Sequence, residues 1–200
     1  MAKLYFRYGA MGSGKSIDLL KVSFNYKERG KKTLILTSSI DNRYDIGKIK
    51  SRIGIEEPAI CVSNNDSILN IFKLNCFDEN KSVNVDCVLI DEVQFFNESQ
   101  ILELSDIVDI YNIPVIAYGL KSDFKQELFP GSKALLSICD VIENIPVICW
   151  CGRKATVNAR IFNEKIAYSG EQIQIGGNES YISLCRKHWK EGKFKEEKKI

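Results

Sequence analysis

The sequence predicts an α/β protein: a mostly parallel sheet flanked by helices, with a small cysteine-bearing domain attached. Three observations carry this expectation. Short apolar runs at 4–8, 33–37, 87–90 and 115–118 alternate with helical patterns. The first run passes through a glycine-rich turn directly into a helix. Beyond about residue 145 the pieces shorten, and Cys, Gly and Asn become frequent.

Taken in order, Leu4-Tyr5-Phe6-Arg7-Tyr8 reads as an aromatic-rich strand, and 9–14 as the glycine turn. A helix is expected over 15–29 with Ile17, Leu20 and Phe24 on one face and Gly30 as its C-terminal cap. Thr33-Leu34-Ile35-Leu36-Thr37 completes a βαβ unit, and such crossovers make parallel sheets. The stretch 38–58 is polar and is expected to be a long loop or lid. Cys87-Val88-Leu89-Ile90 reads as a buried strand ending at Asp91 and Glu92. Asn97 followed by Gln100 is a capping box, opening a helix whose apolar face is Ile101, Leu104 and Val108. Asn112 and Pro114 stop it, and Val115-Ile116-Ala117-Tyr118 is a further strand. The expected division is 1–144 for the nucleotide-binding domain, 145–190 for the metal-binding domain and 191–200 for a charged tail.

Composition narrows the function classes. With 200 residues, 44% hydrophobic and 27% charged, the chain has room for one ordinary domain plus an appendage. A net charge of +2 offers no clustered basic face, so no nucleic-acid partner is expected. No apolar run approaches the ~20 residues of a membrane span, and the start runs into a strand without a signal-peptide layout. The expected location is the cytoplasm. The seven cysteines are an odd number in a chain of this size, which argues against a disulfide scaffold. Cys61, Cys76, Cys87 and Cys139 read as small buried hydrophobes.

Gly9-Ala10-Met11-Gly12-Ser13-Gly14-Lys15-Ser16 matches G-x-x-x-x-G-K-[ST] in full, in the required strand–turn–helix context. Glycines let backbone N–H groups turn inward around phosphates, and the helix N-terminus adds partial positive charge. Lys15 is placed to reach the β- and γ-phosphates of ATP, and Ser16 to supply a hydroxyl to Mg²⁺. Asp91, at the end of a hydrophobic strand, has the position of a carboxylate that supports that Mg²⁺. Glu92 follows directly. The sole histidine, His188, lies in a cysteine cluster, so Glu92 is the leading general base.

Cys149-x-Cys151 and Cys185-x-x-His188 offer three sulfurs and one imidazole, a set suited to a closed, structural tetrahedral Zn²⁺. On these features alone three classes stay open: a small-molecule kinase, a P-loop ATPase with a zinc-stapled partner-binding domain, and a nucleotide-gated adaptor. ADP release that requires a nucleoside marks the first, release without one the second, and no release the third.

The block Asp91-Glu92-Val93-Gln94-Phe95-Phe96 resembles the D-E-x-Q-F-F block of the thymidine kinases related to the human cytosolic and bacterial enzymes. The resemblance extends to the phosphate loop, Asp41-x-Arg43-Tyr44, Leu120-x-x-x-Phe124, Ile175-Gly176-Gly177 and the final Cys-x-x-His. It implies transfer of the γ-phosphate of ATP to the 5′-hydroxyl of thymidine, a step of nucleotide salvage that feeds DNA synthesis. It implies that Glu92 is the base and that Asp41 and Arg43 lie near the phosphates or Mg²⁺, with Asp91, Val93 and Gln94 beside them. Phe95, Leu120, Phe124, Phe129 and Met11 match apolar residues around thymine. Residues 173–181, including Ile173, Gln174, Ile175, Gly176, Gly177 and Tyr181, match a loop that reads the base through backbone groups. The resemblance also implies a homotetramer and makes thymidine triphosphate the expected feedback ligand. The one-residue gap between Cys149 and Cys151 is shorter than the family's usual two. Because the phosphate loop falls in the other expected domain, loss of zinc is expected to weaken thymidine binding and spare ATP binding.

Overall fold

The strand β1 (Leu4–Tyr8) runs through the glycine turn into the helix α1 (Lys15–Glu28), which returns the chain to β2 (Thr33–Ser38). The computed structural model describes residues 1–40, 47–80, 82–173 and 180–195. At the end of α1, Gly30 adopts φ 70° and donates to Lys27 O, while Lys31 donates to Tyr26 O. This is a Schellman cap, and its left-handed position favours glycine. The buried face of α1 is Leu19, Leu20 and Ser23. Phe24 is 56% exposed, contrary to the expected face, because Leu19 and Leu20 are the residues that meet the sheet. Ile17 instead borders the cavity described below.

The polar stretch after β2 is not an open loop throughout. It contains an antiparallel hairpin of β3 (Lys48–Lys50) and β4 (Glu56–Pro58), followed by β5 (Ile60–Val62). The hairpin forms because Ile49, between two exposed lysines, buries itself against Leu19 and Leu20 of α1. Glu57 fastens it further, accepting hydrogen bonds from Ser23 Oγ at 2.8 Å and Lys27 Nζ at 2.7 Å. Asp41 and Arg43 lie outside the described residues.

The chain continues through α2 (Ile68–Cys76), β6 (Cys87–Asp91), a 3₁₀ turn at Val93–Phe95, α3 (Glu98–Tyr111), β7 (Val115–Gly119), α4 (Pro130–Ile138) and β8 (Val141–Asn144). The capping box of α3 is complete: Asn97 Oδ1 accepts from Gln100 N, and Gln100 Oε1 accepts from Asn97 N. The expected face, Ile101, Leu104 and Val108, is buried.

Six strands form one sheet in the order β5-β2-β6-β7-β1-β8, and every pairing in it is parallel. Alternating residues of β6 serve the two faces: Val88 and Ile90 pack with α2, α3 and α4, while Cys87 and Leu89 pack with α1. Burial pushes the Cys87 thiol up to about 12, in keeping with a packed hydrophobe. One strand, β7, separates β1 from β6, so the glycine turn and Asp91 emerge at the same edge with a strand between them.

A second sheet, in the order β10-β9-β11, is antiparallel and comprises β9 (Val157–Phe162), β10 (Lys165–Ala167) and β11 (Tyr181–Leu184). The short helix α5 (Arg186–Lys190) follows it. Its core is small, built from Cys149, Ala155, Ala159, Ile166, Leu184 and Cys185. Among the described residues no helix is long and apolar enough to cross a membrane.

Candidate functional site

The phosphate loop joins β1 to α1. Gly12 and Gly14 have φ of 76° and 83°, the left-handed values that turn their N–H groups inward. A Cβ on Gly9 would lie 2.5 Å from Ile145 O, so that position admits no side chain. Lys15 is buried, and its Nζ donates to Gly9 O at 3.1 Å and Ala10 O at 3.2 Å. Its ammonium therefore lies across the mouth of its own loop, where a phosphate would meet it. Ala10 is buried beneath the loop, and Ser13 N donates back to Ala10 O.

Ser16 Oγ donates to Asp91 Oδ2 at 2.8 Å, which brings together the two oxygens assigned to Mg²⁺. A half-buried hydroxyl and a buried carboxylate beside a phosphate loop form an oxygen-only donor set that suits this ion. Desolvation, then the neighbouring charge of Glu92, pushes the Asp91 carboxyl from 3.8 up to about 7; the Ser16 hydrogen bond and Lys15 oppose this. A positive charge arriving at that site would favour the ionised form.

Glu92 sits in the left-handed region at φ 52°, a strained position for a side-chain-bearing residue. Its carboxylate is held by Gln94, whose Nε2 donates to Glu92 Oε2. Gln94 Oε1 in turn accepts from Leu120 N at 3.0 Å. Gln94 is 1% exposed, so it is a fixed strut between the ends of β6 and β7 that orients Glu92. Val93 packs fully buried in the core with Phe96 and seats this turn. Gly131 at the start of α4 lets the turn approach, since a Cβ there would lie 2.3 Å from Val93 O.

One cavity of about 320 Å³ runs from Gly12, Gly14, Lys15 and Ser16, past Glu92 and Gln94, to Met11, Phe95, Leu120, Phe124, Phe129, Ile173 and Tyr181. Phe95 and Phe129 meet edge to face at 5.9 Å. The Arg160 guanidinium covers the Phe124 ring at 3.8 Å and donates to Tyr181 Oη at 2.7 and 2.9 Å. It also donates to Glu171 O at 2.9 Å, so one buried arginine ties β9 to the start of the 173–181 loop. The apolar residues expected around a base thus share one chamber with the phosphate loop. Gln174, Ile175, Gly176 and Gly177 lie outside the described residues.

Sequence reasoning missed several lining residues. Lys50, Ser51 and Arg52 enter from the β3–β4 hairpin, and Arg52 Nη1 lies 4.0 Å from where a Cβ on Gly12 would be. The signal was Ile49 between two lysines, with Gly54 providing the turn at φ 89°. Asp123, Asn158 and Gln172 also line the cavity. Asp123 is buried; its Oδ1 accepts from Lys125 N and Glu127 N, and its Oδ2 from Gln172 Nε2. Alternation along β9 places Asn158 and Arg160 on one face, a pattern that was legible but not used.

The ligand atoms of Cys149, Cys151, Cys185 and His188 all lie within 4.8 Å of one another. Cys149 Sγ is 3.5 Å from His188 Nδ1, and Cys151 Sγ is 4.0 Å from Cys185 Sγ. Tetrahedral zinc with Zn–S bonds near 2.3 Å needs ligand separations of roughly 3.8 Å, so the four residues fit the ion. The short Cys149-x-Cys151 spacing works because Gly152, at φ 83°, turns back to donate to Cys149 O. Trp150 stacks on the His188 ring at 4.2 Å and fixes its plane.

The family model for thymidine kinase matches residues 2–189. The thymidine kinase of Zymomonas mobilis is 50% identical over 190 residues, covering 94% of this chain and 96% of the relative. That of Lactococcus lactis is 49% identical over 192 residues, covering 94% and 97%. That of Francisella tularensis subsp. holarctica is 45% identical over 200 residues, covering 97% and 100%.

Proposed function

The chain belongs to the thymidine kinase family, and we propose that its Glu92 is the base in transfer of the γ-phosphate of ATP to the 5′-hydroxyl of thymidine. It is a phosphotransferase, and the observation that carries the mechanistic reading is the single cavity in which Glu92 stands between the phosphate loop and the aromatic chamber. In that position its carboxylate takes the proton of the acceptor hydroxyl as that oxygen attacks phosphorus and ADP departs with the bridging oxygen.

The other roles follow from placement. Lys15 exchanges its carbonyl partners for phosphate oxygens, and backbone N–H groups of 12–16 hold the chain of phosphates. Ser16 and Asp91 would hold Mg²⁺. When bound, that ion neutralises charge developing on the transferring group. Arg52 adds a cation above the loop, and Asp41 and Arg43 are proposed beside it on the resemblance alone. Met11, Phe95, Leu120, Phe124, Phe129, Ile173 and Tyr181 hold the nucleoside, and 174–177, outside the described residues, are proposed at the base on the resemblance alone. Structural Zn²⁺ at Cys149, Cys151, Cys185 and His188 staples the segment that carries this loop.

The division into 1–144 and 145–190 is proposed on the two separate sheets, each with its own core. A cytoplasmic homotetramer with thymidine triphosphate as feedback ligand is proposed on the resemblance. The deciding experiment supplies Mg·ATP and a panel of nucleosides. Thymidine-dependent ADP release with formation of thymidine monophosphate is expected, and ADP release indifferent to nucleoside would refute the kinase reading.

A further inference from the structure

Two side chains of the small sheet grip one residue of the phosphate loop. Met11 N donates to Asn158 Oδ1 at 2.7 Å, and Met11 O accepts from Ser183 Oγ. Asn158 on β9 and Ser183 on β11 are direct cross-strand partners, so the grip is a single rung of that ladder. The orientation of the Asn158 amide is set independently, since its Nδ2 donates to Ser122 O at 3.1 Å. Asn158 is 5% exposed, so these bonds form away from water.

The next rung on the same face is Arg160 opposite Tyr181. These are the residues that cover Phe124 and reach the 173–181 loop. One face of two paired strands therefore carries the nucleoside chamber on one rung and the phosphate loop on the adjacent one. A strand pair transmits displacement stiffly, because the ladder fixes the spacing of its rungs.

We propose that Asn158 and Ser183 are positioning residues that set the Met11 peptide of the phosphate loop, and that through them thymidine binding at the Arg160–Tyr181 rung strengthens ATP binding. With both polar groups of Met11 held by the small sheet, its N–H points away from the phosphates, and the following N–H groups are left to form the cradle. The inference rests on the kinase reading above. Ordering the rung with one ligand lowers the ordering cost for the other, and such coupling is reciprocal.

The test uses Ser183→Ala, which removes the donor to Met11 O, and Ser183→Thr, which keeps a hydroxyl. Zinc content and thermal melting check that both are intact. Titrations with a non-hydrolysable ATP analogue, with and without thymidine, give the affinities and their coupling, and steady-state assays give the KM for each substrate. Wild type should bind the analogue several-fold more tightly with thymidine present. Ser183→Ala should raise the ATP KM by roughly 3- to 10-fold, the worth of one hydrogen bond, and bring the coupling toward unity. Ser183→Thr should restore both. An unchanged ATP KM and coupling in Ser183→Ala, a threonine variant that behaves like alanine, or a wild type without coupling would each overturn the inference. In all three cases thymidine phosphorylation by the wild type would continue, so the kinase reading stands or falls separately.

Discussion

Glu92→Gln is the sharpest test of the mechanism, because the structure limits what else the change can do. The two side chains have the same length, and a glutamine oxygen can still accept from Gln94 Nε2, so the strut to Leu120 N survives. The left-handed backbone at φ 52° is equally strained for both residues. Removing the charge also removes one of the causes that raise Asp91, so the Asp91 carboxylate ionises more readily and the Ser16–Asp91 pair is retained. What is lost is the proton acceptor. A positioned base is worth about 10²–10⁴ in rate, or roughly 2.7–5.4 kcal/mol of barrier. The expected outcome is turnover reduced by that factor, with ATP and thymidine affinities within about twofold of wild type by direct titration. Glu92→Asp should also be slow, since a carboxylate withdrawn by one methylene, about 1.5 Å, leaves Gln94 and the acceptor hydroxyl. Turnover of Glu92→Gln within about threefold of wild type would remove Glu92 from the chemistry, whatever its position.

Four further outcomes are expected. Lys15→Ala should abolish transfer while the chain stays folded, because Nζ meets carbonyls of its own loop and carries no core packing; a folded, active variant would refute its phosphate role. Gly131→Ala should destabilise the fold by about 1–3 kcal/mol in denaturant titration, as its Cβ would press on the backbone oxygens of Val93 and Phe96, and an unchanged midpoint would show that the turn yields freely. Deoxycytidine should be a very poor substrate if residues 173–181 read the base through backbone groups, as the resemblance implies, since its reversed polarity at N3 and the 4-position would cost about 1–3 kcal/mol per mismatch; equal rates would refute a hydrogen-bonding reader. Cys151→Ser should lower metal content and weaken thymidine binding, and the grip of Ser183 on Met11 means that ATP binding should weaken too. Normal thymidine affinity in a metal-free preparation would show that the four ligands are not a working zinc site.

The elements most legible in sequence are those fixed by local physics. The glycine turn needs left-handed backbone, the capping box of α3 is two side chains answering two N–H groups, and β6 is apolar from Cys87 to Ile90 because both its faces are covered. The Cys149, Cys151, Cys185 and His188 cluster was legible because its chemistry is rare, and Gly152 explains how so short a cysteine pair can close. The elements that escaped depend on partners distant in sequence. The β3–β4 hairpin exists because Ile49 and Glu57 find α1, and composition alone made that stretch look like solvated loop. The buried face of α1 was misplaced for the same reason: Leu19 faces the sheet while Phe24 faces water, and only the docking angle decides between them.

That distinction bears on how the site is assembled. The phosphate loop, Asp91 and Glu92 all lie on the parallel sheet, at the ends of β1 and β6 where α1 begins. The groups that orient them come from elsewhere. Gln94 aligns Glu92 by reaching the end of β7, and Asn158 and Ser183 align the phosphate loop from the second sheet. The small sheet has a small core, built around Cys149, Ala155, Ala159, Ile166, Leu184 and Cys185, yet it holds the backbone of the phosphate loop and covers the Phe124 ring. A metal at Cys149, Cys151, Cys185 and His188 would stiffen the base of β11 just beyond Ser183, so that a sheet with little apolar surface to bury could still hold its grip on Met11.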